Sequence, residues 1–131
     1  MIKFMVDTDI SIYTVKRKPL EVRRMFNIHA GEISISTVTL GELLYGAENS
    51  ANPRSNLAII EGYAARVEVL SYDQEAAAQF AQLKSELAQN LIGAYDLMIA
   101  AHARSRGLIL VSNNTREFNR VPGLRVENWV D

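Results

Sequence analysis

The 131-residue sequence predicts an α/β fold, a three-layer α/β/α sandwich with a mainly parallel central sheet. Three observations carry that expectation. Short apolar runs at 2–6, 33–35, 67–70 and 108–111 alternate with longer stretches whose apolar residues recur at helical spacing. Such alternation is what βαβ units produce, because parallel strands need a crossover connection, usually a helix. The run Leu108-Ile109-Leu110-Val111 is apolar throughout, as expected of a strand buried on both faces. No repeat, low-complexity tract or linker interrupts the pattern, and 48% hydrophobic content supports a proper core, so one domain spanning 1–131 is expected.

The elements follow in order. Ile2, Phe4, Met5 and Val6 form a first buried strand, broken only by Lys3. A helix from about Ile10 to Lys16 comes next and ends before Pro19, since the residue preceding a proline avoids the helical region. A second short helix carries Val22, Met25 and Phe26. After Ala30-Gly31 comes the strand at 33–35, and Ser36 or Thr37 then caps a helix bearing Val38, Leu40, Leu43 and Leu44. Asn52-Pro53 opens the next helix with a capping residue and a proline in the first turn, burying Leu57, Ile60 and Tyr63. The strand at 67–70 leads to Asp73, which caps a long helix presenting Ala76, Phe80, Leu83 and Leu87. Residues 90–93 break it. A helix after Ala94 runs to Arg106 and stops at Gly107, a C′ glycine. The strand at 108–111 follows, and 124–129 is a short edge strand.

Composition removes several chemistries. Zero cysteines excludes disulfides, thiolate catalysis and cysteine zinc sites, and fits a cytoplasmic protein. His29 and His102 are too few and too far apart in sequence for a zinc site. Any metal is therefore expected to be oxygen-bound, magnesium or manganese. No stretch has the apolar length of a membrane span, and the N-terminus enters a strand without a signal-peptide head. A net charge of −1 argues against a dedicated nucleic-acid binder. The basic residues are nevertheless grouped, as Lys16-Arg17-Lys18 with Arg23-Arg24, and as Arg104, Arg106, Arg116, Arg120 and Arg125. Ten of the fourteen are arginine, the side chain that matches phosphate bidentately. Solvated helix faces account for any one of them; two groups beside acids point to a phosphate-bearing substrate.

The acids define that site. Asp7-Thr8-Asp9 directly follows the first strand, and in open parallel sheets ligands bind at the C-terminal edge. A carboxylate there costs desolvation unless a positive charge answers it, and a hard divalent cation is the usual answer. Glu42, two turns into the helix after the second strand, can reach the same edge. Asp96 lies in the first turn of its helix. The strand at 108–111 ends in Ser112-Asn113-Asn114-Thr115, with Glu117 close behind. Taken singly, Asp96 is a good partner for a helix N-terminus and Glu42 an ordinary exposed residue. Asp9, and not Asp7, is expected to cap the helix at Ile10. As a set, Asp7, Glu42 and Asp96 are the expected catalytic and metal-binding residues, with Asn113, Thr115, Glu117 and Asp9 as supporting or fourth-position candidates. His102, six positions after Asp96, faces elsewhere and is a packed or surface histidine. Tyr45, Tyr63 and Tyr95 are expected to be half-buried, and Trp129 to pack the edge strand. Arg17, Arg23, Arg24 and Arg104 are the expected contacts to substrate phosphates.

Four segments together resemble a known family: Phe-Met-Val-Asp7-Thr-Asp-Ile, Ser36-Thr-Val-Thr-Leu-Gly-Glu42-Leu-Leu-Tyr-Gly, Tyr95-Asp96-Leu-Met-Ile-Ala-Ala-His-Ala-Arg-Ser and Leu-Val-Ser-Asn113-Asn-Thr-Arg-Glu-Phe. They are similar in order and spacing to the motifs of PIN-domain ribonucleases, and more narrowly to VapC toxins of the enterobacterial type that cleaves initiator tRNA. The resemblance spans 3–129. It implies a magnesium or manganese site at Asp7, Glu42 and Asp96 and a homodimer. It also implies a VapB-type antitoxin whose C-terminal segment fills the active-site groove, and tRNA cleavage in the anticodon stem-loop that halts translation. The chain departs from the family pattern in four places. Asp9 stands where asparagine is usual, Glu117 or Asn113 must replace a fourth aspartate, the segment 89–95 looks shorter than a Gly-Arg-Pro loop, and Leu97 replaces a polar residue. Two alternatives are a catalytically weak PIN-like binding module and a haloacid-dehalogenase-type phosphatase. Asp7-Thr8-Asp9-Ile10-Ser11 nearly fits the phosphatase nucleophile motif. That chemistry also needs a downstream lysine and a late acidic pair; only Lys84 follows Lys18, and no Asp-Asp pair is present.

Overall fold

The computed structural model describes residues 1–16 and 18–130. Among them the chain runs β1 (Phe4–Val6), α1 (Thr8–Lys16), α2 (Leu20–Ile28), β2 (Ile33–Ser36), α3 (Thr37–Glu48), α4 (Pro53–Ala64), β3 (Glu68–Leu70) and α5 (Gln74–Glu86). It continues through α6 (Ala94–Ser105), β4 (Ile109–Val111), α7 (Thr115–Phe118) and β5 (Val126–Glu127). The strands form one sheet in the order β3-β2-β1-β4-β5, and every pairing is parallel. Even the edge strand β5 is parallel, with Leu110 opposite Val126. Strand order reverses between β1 and β4, whose registers place Val6 against Val111. Where the order reverses, the connections leave on opposite faces and open a crevice at the C-terminal strand ends.

Side-chain alternation divides the core in two. Phe4, Val6, Ile33, Ile35, Ile109 and Val111 point to the face covered by α1 to α4, packing on Ile10, Val22, Leu43, Ile60 and Tyr63. Met5 and Leu110 point to the other face, against Leu83, Leu97, Ile99 and Phe118 of α5, α6 and α7. Leu97 is thus a core residue, which is why a polar side chain is not needed there. Ala100, Ala101 and Ala103 are fully buried and let α6 pack closely between α5 and the sheet. Trp129 is buried against Phe4, Phe26 and His29, edge-on to the first two and stacked on the imidazole at 5.5 Å. It lies just past β5, which is shorter than the 124–129 strand expected.

Local signals at helix ends are mostly realised. Ser36, not Thr37, caps α3 by accepting from the Val38 N–H at 3.1 Å, and Asp73 caps α5 through the Ala76 N–H at 3.0 Å. Gly107 follows α6 with φ +65°, the left-handed conformation that glycine adopts without steric cost. Asn52 precedes Pro53 as expected, but its side chain makes no capping bond. The cap of α1 is Asp7 and not the expected Asp9. The helix starts at Thr8, and Asp7 Oδ1 accepts from the Ile10 N–H at 2.9 Å, whereas Asp9 lies inside the first turn and is exposed. The short helix α7 has no counterpart among the expected elements, because four residues are too few to show a period.

Candidate active site

Asp7 sits at the reversal point. It leaves β1 at the C-terminal edge, only 3% exposed, with its N–H donated to the Val111 carbonyl of neighbouring β4. Its carboxylate takes the cap bond from Ile10 and a bond from the Ser112 side chain at the end of β4. The Ser112 hydroxyl in turn accepts from the Asn114 N–H at 2.9 Å, so both strand ends hold this acid. Burial pushes the Asp7 carboxyl up to about 7, partly offset by the Ser112 and Ile10 bonds and reinforced by the charges of Asp9 and Asp96.

Asp96 lies in the first turn of α6, half-buried, on the same edge because α6 runs back toward the start of β4. Burial again acts first, and the charges of Glu117, Glu42 and Asp9 add to it, raising this carboxyl to about 6. Among the described residues no lysine or arginine acts on either carboxyl. Glu42 comes from the second turn of α3, and its Oε1 accepts from Thr8 Oγ1 at 2.5 Å.

The supporting candidates separate clearly. Glu117 belongs to the acid cluster: Oε1 accepts from the Gly93 N–H at 3.2 Å and Oε2 from Asn114 Nδ2 at 3.0 Å, tying α7 to the start of α6. Asn113 turns the other way and donates from Nδ2 to the Tyr13 hydroxyl at 3.1 Å. Thr115 is the first residue of α7, and Asp9 contributes charge to both Asp7 and Asp96. Among the described residues, no three acids or histidines are drawn together tightly enough to grip a cation by themselves. Asp7, Glu42 and Asp96 therefore do not form a closed chelate. What the edge offers is an open, all-oxygen set of like charges, with no basic partner among the described residues. Such a set fits magnesium or manganese, which keep several waters and take one or two protein carboxylates.

The basic residues are placed differently from expectation. Arg104 is at the far end of α6, where its guanidinium donates to Gln79 Oε1 at 2.6 Å and the Pro122 carbonyl at 2.9 Å, and pairs with Glu86 at 3.6 Å. It clamps α6 to α5 and is remote from the acids. Arg23 lines a cleft of about 420 Å³ with Arg66, Gly31, Ile33 and Val67, beside the starts of β2 and β3 and hence at the opposite sheet edge from Asp7. Arg24 is exposed on the same helix, and Arg17 lies outside the described residues. The tyrosines also depart from expectation: Tyr63 is buried, donating to Ser11 Oγ at 2.8 Å, while Tyr45 and Tyr95 are 70% and 59% exposed. These two flank a groove of about 680 Å³ whose wall includes Glu42, Val38, Gly41 and Met98. A second groove of about 350 Å³, lined by Ile12, Val15, Lys16, Leu43, Ile59 and Ile60, meets Glu42 from its other side.

Two contacts carry no signal in the sequence. Thr8 reads there as a spacer between two acids, although its hydroxyl reaches Glu42. His102 is fully buried, with Nδ1 2.8 Å from Ser36 Oγ and its ring edge-on to Tyr72; no hydrogen-bond partner for Nε2 is present among the described residues.

Comparison with known proteins gives the family. Residues 4–124 match the PIN domain family. The chain is 56% identical to the tRNA(fMet)-specific endonuclease VapC of Shigella flexneri, over 98% of this chain and 99% of the relative. It is 53% identical to ribonuclease VapC2 of Haemophilus influenzae, over 99% of this chain and the whole relative. A chain of the DNA-bound VapBC structure from Salmonella typhimurium superposes with a TM-score of 0.95 at 51% identity, covering 98% of this chain and 99% of that one. VapBC2 of Rickettsia felis, bound to a promoter DNA fragment, superposes with a TM-score of 0.91 at 32% identity, over 98% and 99%. With its buried acid at the sheet reversal and whole-chain identity to these proteins, this chain belongs to the PIN-domain family and, within it, to the VapC ribonucleases.

Proposed function

We propose that the chain is the endoribonuclease toxin of a toxin–antitoxin pair, using magnesium, with manganese as a substitute, to cut initiator tRNA in its anticodon stem-loop. The observation that carries this reading is Asp7, buried at the strand reversal and facing Asp96, with no basic side chain among the described residues to answer either charge. A divalent cation, when bound, supplies charge neutralisation at the phosphoryl oxygen and lowers the pKa of the attacking water. Asp7, held by Ser112 and Ile10, and Asp96, on the rigid α6, are the residues assigned to hold it. Glu42 keeps one carboxylate oxygen on Thr8, leaving the other to accept from water. Asp9 and Glu117 enlarge the negative field.

Substrate choice rests on the relatives' 51–56% identity and on the need for splayed nucleotides, since loops expose bases that A-form helices hide. The groove between Tyr45 and Tyr95 opens beside Glu42 and offers aromatic faces to such a nucleotide. A VapB-type antitoxin is the partner, its apolar segment fitted to the groove of Ile12, Val15, Ile59 and Ile60. The exposed Leu91, Tyr45 and Tyr95 are the apolar surface on which a homodimer would form. Among the described residues no helix is long and apolar enough to cross a membrane.

The test is incubation of the purified chain with initiator tRNA, elongator tRNAs and messenger RNA, with magnesium or with EDTA, followed by mapping of the new ends. Metal-dependent cuts confined to one anticodon stem-loop are expected, absent in Asp7→Asn. Cleavage scattered over messenger RNA with tRNA intact would refute the substrate. An inert wild-type protein would favour the binding-module alternative.

A further inference from the structure

Thr8 is placed where it controls a carboxylate. It is the first residue of α1, half-buried between Asp7 and Asp9, and its hydroxyl donates to Glu42 Oε1 across 34 residues of sequence at 2.5 Å. A hydroxyl has one proton and two acceptor lone pairs. With the proton on the short bond to Glu42, the Thr39 hydroxyl 3.4 Å away is left as a second, weaker neighbour. A hydrogen bond from O–H to an ionised carboxylate at this length is charge-assisted and among the stronger kinds.

The surroundings of Glu42 make that bond decisive. Its side chain lines both grooves, one formed with Val38, Tyr45, Tyr95 and Met98, the other with Ile12, Val15, Lys16 and Ile60. It therefore has room on two sides, and in the second groove Lys16 offers a competing positive charge. On the acid side it meets only like charge, from Asp96. Nothing in the packing of the two grooves by itself holds Glu42 on the acid side.

We infer that Thr8 is a positioning residue for Glu42, its hydroxyl latching Oε1 so that the carboxylate stays on the Asp7–Asp96 side and presents Oε2 to an incoming divalent cation or its water shell. This deepens the nuclease reading and rests on it for its catalytic consequence, but the latch itself is a property of metal binding. Groups that orient metal ligands this way are worth about 10–100-fold in metal affinity in other proteins.

The test is calorimetric titration of manganese into the purified RNA-free protein, for wild type, Thr8→Val, Thr8→Ser, Glu42→Ala and the double variant Thr8→Val/Glu42→Ala. Thr8→Val keeps the shape and removes the hydroxyl; we expect about 10-fold or greater loss of affinity, restored by Thr8→Ser. In the Glu42→Ala background Thr8→Val should cost nothing further, because the two act as a unit. Should Thr8→Val melt far below wild type, Thr8→Ala enters the same cycle in its place. Wild-type affinity in Thr8→Val, an equal loss in the Glu42→Ala background, or no manganese binding by wild type would each overturn the latch. A wild type that binds manganese with this coupling yet cuts no RNA would overturn the nuclease reading alone. With RNA as substrate, kcat should fall in Thr8→Val with KM little changed.

Discussion

Replacing Asp7 with asparagine should make the metal-free protein more stable, and by an amount that depends on pH in a stated way. The side chain is 3% exposed and its carboxyl is pushed from 3.8 to about 7 in the folded chain. Between those values the unfolded chain gives up this proton while the native chain holds it, so wild-type stability falls as pH rises from about 4 to about 7 and is level above. An interval of about three units at about 1.36 kcal/mol per unit gives ~4 kcal/mol. The substituted amide would keep the cap bond from Ile10 through its oxygen, and its NH2 can donate to Ser112 Oγ. Burying an amide reclaims about 1 kcal/mol of that, leaving a net gain of roughly 2–4 kcal/mol at pH 8, or about 10 °C in Tm. The assay is urea unfolding of both proteins in EDTA at pH 4.5, 6 and 8. His102 titrates in the opposite sense but is common to both, so the difference curve isolates Asp7. Manganese should close the gap from the wild-type side, by ~2.7 kcal/mol at about a hundred times its Kd. A pH-independent difference, or a variant less stable than wild type at pH 8, would refute the claim that Asp7 is an uncompensated buried charge.

Asp96→Asn should abolish cleavage as Asp7→Asn does but stabilise the fold less, since Asp96 is half-exposed and solvent screens its repulsion from Glu117, Glu42 and Asp9; the same urea series measures it. Arg104→Ala should cost about 2 kcal/mol by freeing the Gln79 and Pro122 acceptors, while KM for RNA stays unchanged; a selective rise in KM without loss of stability would return this residue to the substrate-binding set. His102 is held below its usual pKa by burial, so the unfolded chain takes up its proton first as pH falls below 6.5. The His102 contribution to stability is lost as pH falls, opposite in sign to Asp7's, so His102→Gln, compared with wild type by thermal melts from pH 7 to 5, should gain stability relative to wild type toward the acid end.

Much of what is written in a local window is legible in the sequence. Strand–helix alternation sets the fold class, apolar runs locate the central strands, and the caps at Ser36, Asp73 and Gly107 mark where helices begin and end. Because a parallel strand ends at a known edge, the same patterns put Asp7 and Asp96 on one side of the molecule without reference to any contact. How those acids behave is a matter of the folded chain. Whether Asp7 or Asp9 caps α1 depends on which is pinned under β4 by Ser112, a residue far along the sequence. Glu117 joins the acid cluster and Asn113 leaves it because the former finds the Gly93 N–H and the latter finds Tyr13. Arg104 has the chemistry of a phosphate contact, yet packing sets it against Gln79 and Glu86. Thr8 acquires its role only when folding brings Glu42 to it. Local patterns encode burial and backbone conformation, which depend on near neighbours; charge, hydrogen bonding and the choice of partner are set by groups that only the finished fold brings within about 3 Å.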